Sequence, residues 1–257
     1  MPAVSRLSRG AETPVCIAHR GASGQEPENT LRAFARALEQ GATWFELDVH
    51  LVHGRLLVIH DATLERTTNG TGPLTAHTLA ELRALDAGKG QRIPFLEEVL
   101  ELAVGRARIN VELKGAGTLA PVLAIVRDAV AGGAWRPDQF LLSCFDWDVL
   151  DEARQREPAI PVAPLAGKGA GGEVLETADR LGAEAIHVSR WSARARLVEA
   201  AHARGLAVRV FPINSQWEYD LMVRLGVDGI FTDFPARVLA WGAAAPAIPV
   251  GGGGSGS

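Results

Sequence analysis

Lysine is almost missing from this chain: Lys89, Lys114 and Lys168 stand against a far larger number of arginines. A lysine at a strand end in so arginine-rich a chain points to a need for a compact point charge. Cysteine is scarcer still. Cys16 and Cys144 both fall in predicted strands, where buried small apolar residues are the ordinary reading, so neither a disulfide nor a catalytic thiol is expected. There is no basic excess: a net charge of −4 gives no electrostatic hold on nucleic acid or on an anionic membrane. An anionic substrate must therefore be caught by a local cluster of positive charge. No apolar run approaches a membrane span, and the N-terminal MPAVSRLSRGAET lacks the apolar stretch of a signal peptide, so a cytoplasmic location is expected. Also lacking is the G-x-G-x-x-G turn of a dinucleotide-binding sheet, since HRGASGQ follows the first strand instead.

What is present is ordinary globular composition, 47% hydrophobic and 22% charged over 257 residues, enough for one large core. Short apolar runs alternate with amphipathic stretches. The runs predict strands at 15–18, 44–49, 109–113, 140–144, 160–164, 185–188, 207–211 and 229–232. Helices are predicted to follow, starting near Thr30, Leu96, Thr118, Asp148, Glu173, Ala195, Gln216 and Ala236, with Thr30 and Asp148 as N-caps. Glycines at Gly41, Gly105, Gly132, Gly182, Gly205 and Gly226 mark helix ends. Eight strand–helix units in about 240 residues predict an α/β fold, a (β/α)₈ TIM barrel. A doubly wound open sheet is the alternative.

One stretch breaks the alternation. Residues 55–59 read as a return strand paired with the second strand through a turn at His53-Gly54. The polar, turn-rich segment that follows, about 61–94, is a small insertion after strand two with one short helix near 79–85. Such an insertion is either a lid or substrate wall, or a solvated decoration. Residues 1–250 are read as a single barrel domain. The final GGGGSGS, 251–257, reads as an engineered Gly/Ser linker.

Active sites of such barrels lie at the C-terminal ends of the strands. There the chain places His19 and Arg20, Glu46 and Asp48, Glu112 and Lys114, Ser143 and Asp146, Asn214 and Asp233, with His60-Asp61 ending the return strand. Glu46 and Asp48, two apart, share one face of a strand, as do Glu112 and Lys114. Three carboxylates on neighbouring strands in a dry barrel mouth require a compensating cation. All-oxygen ligation suits Mg²⁺, Ca²⁺ or Mn²⁺. Two imidazoles, three acids and fixed positive charge suit metal-assisted acid–base attack on an anionic small molecule. His50 could face the site, whereas His53, His77, His187 and His202 read as structural. Trp191 and Phe145 follow strands and could line the pocket or simply fill the core.

The motifs HRG, PENT (27–30), ELDV (46–49), IHD (59–61), IPFLEEVL, VELK (111–114) and GVDGIFTDFP (226–235) occur in this order. Together they resemble the glycerophosphodiester phosphodiesterase family, over about residues 15–241. The resemblance implies a (β/α)₈ barrel that hydrolyses glycerophosphodiesters to glycerol 3-phosphate and an alcohol with a divalent cation. It implies His19 and His60 as the acid/base pair and Glu46, Asp48 and Glu112 as metal ligands. Arg20 and Lys114 would contact phosphate and Phe211 would stand at the substrate; Trp191 is read as a substrate contact from its place after a strand alone. The chain departs from the family in a shortened hairpin, HLVHGRL. Phe211-Pro212-Ile213-Asn214 stands where W-T-V-N is common, so Phe211 replaces the tryptophan expected to wall the glycerol pocket, and SCFD replaces SSFD.

Other readings of the same residues are a lysophospholipase D-type or other phosphodiesterase, a lysine Schiff-base aldolase using Lys114, and a non-catalytic phosphodiester-binding barrel. The paired histidines and the full set of acids argue against the last two.

Overall fold

The computed structural model describes residues 13–244. The linker reading for 251–257, and the outer ends of the single-domain reading at 1–12 and 245–250, lie outside the described residues. In chain order, β1 (Val15–His19) leads to α1 (Leu31–Glu39) and the hairpin β2 (Trp44–Val52) and β3 (Arg55–Val58). The insertion follows, carrying α2 (Leu79–Ala84), and then α3 (Leu96–Ala103) and β4 (Arg108–Leu113). Regular alternation resumes with α4 (Leu119–Ala131), β5 (Phe140–Cys144), α5 (Trp147–Arg156), β6 (Val162–Ala166) and α6 (Gly172–Leu181). It ends with β7 (Ala185–Ser189), α7 (Ala195–Ala203), β8 (Ala207–Phe211), α8 (Gln216–Leu225), β9 (Gly229–Thr232) and α9 (Pro235–Ala244).

β1, β2 and β4 to β9 are parallel neighbours, and pairing of β1 with both β9 and β2 closes them into the expected (β/α)₈ barrel. β3 pairs antiparallel with β2, Val49 opposite Val58, as the hairpin reading requires. Period-two alternation sorts each strand. Phe45, Leu47 and Val49 face outward into a core shared with Phe34 and Ala37 of α1, while Ile17, Trp44, Leu141, Ala163, Ala185 and Phe231 fill the interior. Phe34 and Phe45 rings meet at 4.7 Å; truncating a fully buried phenylalanine to alanine costs about 3–5 kcal/mol.

Of the boundaries that differ from the expectation, two have a clear local cause. The strand predicted at 160–164 runs Val162–Ala166, because the Ile160 amide is spent on the Glu157 carbonyl in a turn. The N-cap of α5 is Asp146, not Asp148: the Asp146 carboxylate accepts from the Asp148 amide at 3.2 Å. That contact occupies a side chain otherwise counted among those at the barrel mouth. Cys16 and Cys144 are buried free thiols. The insertion is more than decoration, since Leu64, Leu74, Leu82, Ala87 and Ile93 pack on Val52, Leu57 and Ile59 in a small core of their own. No helix among the described residues is long and apolar enough to cross a membrane.

The N-terminal end of the barrel holds a charged cluster that the sequence does not announce. Glu184 bridges Arg108 (2.6 Å) and Arg209, and both guanidiniums sit over the Trp44 ring, 4.2 and 4.5 Å from its centroid. Arg209 also approaches Nε2 of fully buried His187 at 3.2 Å. Burial, then the two arginines, hold His187 well below the ordinary histidine range, so it stays neutral. His187 and His202 are structural, as expected; His202 meets Asp228 at 2.8 Å.

Candidate active site

Register builds the site at the opposite end. β1 and β2 align His19 with Glu46, and β2 and β4 align Asp48 with Glu112. Because Glu46 and Asp48 share a face, one carboxylate oxygen each from Glu46, Asp48 and Glu112 falls within 4.8 Å of the others. Glu46 and Asp48 are buried. Glu46 Oε1 and Asp48 Oδ1 are buried with no hydrogen-bond partner, an arrangement that disfavours three negative charges without a cation. Burial, then the neighbouring acids, pushes the Glu46 carboxyl well above the usual carboxylate range, and burial and Asp48 raise Glu112 despite Lys114. The hard oxygen set, the close spacing and the orphaned atoms together fit a divalent cation.

Positive charge stands on two sides. Lys114 Nζ lies 2.7 Å from Glu112, 3.8 Å from Asp48 and 3.2 Å from His60 Nε2. Arg20 reaches Asp48 at 3.2 Å and Glu28 at 2.8 Å. Its backbone is left-handed (φ 57°), which aims its amide at both the carbonyl and the Oε2 of Glu46. Gly21 must follow: a Cβ there would lie 2.6 Å from the Ala33 backbone.

Each histidine has a carboxylate behind it. His19 Nδ1 meets Asp233 at 2.7 Å, and Asp233 is held in turn by Asn214 (2.6 Å) and Ser23 (3.1 Å). His60 Nδ1 meets Asp61 at 2.5 Å, and Asp61 is held by Arg66. A carboxylate on Nδ1 fixes the Nδ1–H tautomer and leaves Nε2 as the working atom. Burial opposes ionisation of Asp233, but His19, Asn214 and Ser23 outweigh it and hold the carboxyl below its ordinary value.

Phe211 and Trp191 stand across the mouth. Phe211 contacts Phe145 and Phe231 edge-on, at 6.3 and 6.2 Å, and the Arg190 guanidinium lies 4.8 Å over Trp191. Phe145, Trp191 and Trp217 are all more than half exposed. His50 braces the His60 carbonyl (2.9 Å), and His53 and His77 tie down the insertion by bonds to the His77 and Thr71 carbonyls.

Three supporting contacts are not evident from the sequence. Asn29 donates to buried Asp48 at 2.9 Å. Asp233 serves His19 from 214 residues away, and Arg66 comes from the insertion. The strand-end position of Asp233 was a signal; for Arg66 there was none.

The fold and motifs have close counterparts. Residues 19–237 match the model of the glycerophosphoryl diester phosphodiesterase family. A glycerophosphodiester phosphodiesterase of Caldanaerobacter subterraneus is 34% identical over 232 residues, 87% of this chain and 95% of its own length. One from Bacillus altitudinis is 37% identical over 239 residues, 87% of this chain and 96% of its own. A phosphodiesterase structure from Oleispira antarctica, in complex with the product sn-glycerol-3-phosphate, superposes with a TM-score of 0.81 at 31% identity. It covers 89% of this chain and 96% of that one.

Proposed function

The chain belongs to the glycerophosphoryl diester phosphodiesterase family, and from that premise we propose that it hydrolyses glycerophosphodiesters to sn-glycerol 3-phosphate and an alcohol by histidine acid–base catalysis at a divalent-cation site. The observation that carries the reading is the set of three converging carboxylates, two with unpartnered buried oxygens, between two carboxylate-backed histidines. Glu46, Asp48 and Glu112 would hold the ion, Mg²⁺, Ca²⁺ or Mn²⁺, which when bound supplies charge stabilisation at the non-bridging phosphate oxygens. The barrel with its insertion, residues 1–250, acts as one catalytic domain.

Arg20 and Lys114 seat the phosphodiester anion. One of His19 and His60 takes a proton at Nε2 from the nucleophile, which is a water or the adjacent glycerol hydroxyl; attack by the hydroxyl gives a cyclic phosphodiester that a water then opens to glycerol 3-phosphate. The other gives a proton from Nε2 to the departing alkoxide. Phe211 ends β8 and Trp191 follows β7, at the same end of the barrel as Arg20 and Lys114. We assign these two to the substrate.

The exposed Phe145, Trp191 and Trp217 favour a second reading of the substrate, a lysophospholipid whose acylated glycerol keeps the phosphate while its small alcohol leaves, and the polar insertion favours water-soluble diesters. Release of glycerol 3-phosphate from glycerophosphocholine tests the main reading. EDTA abolishes turnover and one of the three ions restores it; turnover indifferent to EDTA contradicts it. Faster hydrolysis of lysophosphatidylcholine than of glycerophosphocholine selects the second reading.

A further inference from the structure

His19 and His60 are braced differently. Behind His19, Asp233 is held by Asn214 and Ser23, whose backbones belong to the barrel loops. His60 and Asp61 sit at the end of the hairpin, and the second oxygen of Asp61 is held by Arg66 of the insertion, Nε to Oδ2 at 2.5 Å. The same guanidinium forks onto Glu28, at 2.6 and 2.9 Å, and Glu28 accepts from Arg20 at 2.8 Å. From His60 the contacts run through Asp61, Arg66, Glu28 and Arg20 to Asp48, charge alternating from Asp61 onward.

We propose that Arg66 is a positioning residue for the hydrolysis: it clamps the His60–Asp61 pair to the Arg20 side of the site and fixes the distance between the histidine and the seated phosphate. This rests on the reading of His60 as one of the acid–base pair.

Several features separate a positioning role from a stabilising one. Arg66 is nearly half exposed, where ion pairs contribute little to folding. Yet three of its N–H groups are committed, two of them in a fork that only a guanidinium can make. Its backbone is launched from a fixed turn: Leu64 is fully buried and its amide bonds the Gly72 carbonyl, while Thr68 returns to the Leu64 carbonyl at 2.7 Å. Without Arg66, Glu28 and Asp61 would lose the cation between them, and like charge would push Asp61, and His60 with it, away from the site. The insertion would then act as a wall that carries one strut, rather than as a lid.

The test compares kcat and KM for glycerophosphocholine in the wild type, Arg66→Ala, Arg66→Lys, Asp61→Asn and the Arg66→Ala/Asp61→Asn double variant, with His60→Ala in the same assay. A catalytic group displaced by a fraction of an ångström loses on the order of tenfold to a hundredfold. Arg66→Ala is expected to lower kcat by that factor with KM moved by much less. Arg66→Lys, which keeps charge but not the fork, falls between, and the double variant is no worse than Asp61→Asn alone. Unchanged kcat in Arg66→Ala, or fully additive losses in the double variant, overturns the proposal while leaving the function standing, provided His60→Ala is inactive. Near-normal turnover of His60→Ala overturns both. If Arg66→Ala does not fold, the graded loss in Arg66→Lys decides alone.

Discussion

At the N-terminal end of the barrel, Glu184 lies between Arg108 and Arg209, and those cations hold its carboxyl below the ordinary value although burial pushes it up. At the C-terminal end, Glu46 and Glu112 lie beside Asp48, and burial and like charge push both up. The residue type and the barrel are the same, and the shifts are opposite. The difference is where the counter-charge comes from. The lower cluster carries its own arginines, so its charge is complete: both Glu184 oxygens are paired, although Trp44 Nε1, Arg108 Nε and His187 Nδ1 lack hydrogen-bond partners. The upper one leaves Glu46 Oε1 and Asp48 Oδ1 without hydrogen-bond partners, although Arg20 and Lys114 stand nearby. A charged cluster complete within the chain serves the fold, while one left short of positive charge is poised for a cation and an anionic substrate.

Substitution at either end should separate these roles. The largest effect belongs to the upper end. His19→Ala and His60→Ala should each lower turnover on the order of a hundredfold or more, with far-UV circular dichroism and thermal midpoint unchanged. At the lower end, Glu184→Gln should leave turnover intact and cost about 2 kcal/mol in urea denaturation. This is below the loss for a fully buried pair because Glu184 is one-third exposed. A loss of turnover in Glu184→Gln would break the division between the ends.

Glu46→Gln should reverse that pattern. Turnover and metal dependence weaken, while the metal-free protein gains on the order of 1 kcal/mol by losing one of three crowded acids.

The smallest effect is one of slope. Glu184, lowered in the folded state, contributes stability above its unfolded pKa, near 4.3, that is lost as pH falls through its folded value. Glu46, raised in the folded state, weakens the metal-free protein as pH rises above about 4.3, and that penalty fades on acidification. Denaturation midpoints measured in EDTA between pH 4 and 8 should therefore steepen with pH in Glu46→Gln relative to wild type. Parallel curves would contradict the assignment of opposite shifts.

The upper end was largely legible in the sequence because strand alternation is local. Two acids spaced by two must share a face, and polar residues after an apolar run must reach the barrel mouth. The hairpin that carries His60 was legible from its turn. The supporting contacts were not, because they depend on closure and register. Asp233 meets His19 through the pairing of β1 with β9, the two ends of the chain. Asn29 reaches Asp48 from a left-handed turn (φ 57°) before α1. Asp146 looked equivalent to the other strand-end acids and is an N-cap. The lower cluster escaped notice because Arg108, Glu184 and Arg209 are unremarkable singly and meet only when β4, β7 and β8 take their places in the barrel.

The most direct test of the contrast is equilibrium dialysis of EDTA-treated protein against Mg²⁺, Ca²⁺ and Mn²⁺, with wild type, Glu46→Gln and Glu184→Gln side by side. One ion per chain is expected for wild type and Glu184→Gln with at least one of the three metals, and weakened or absent binding in Glu46→Gln. Undiminished binding in Glu46→Gln, or no binding of any of the three ions by wild type, would contradict it.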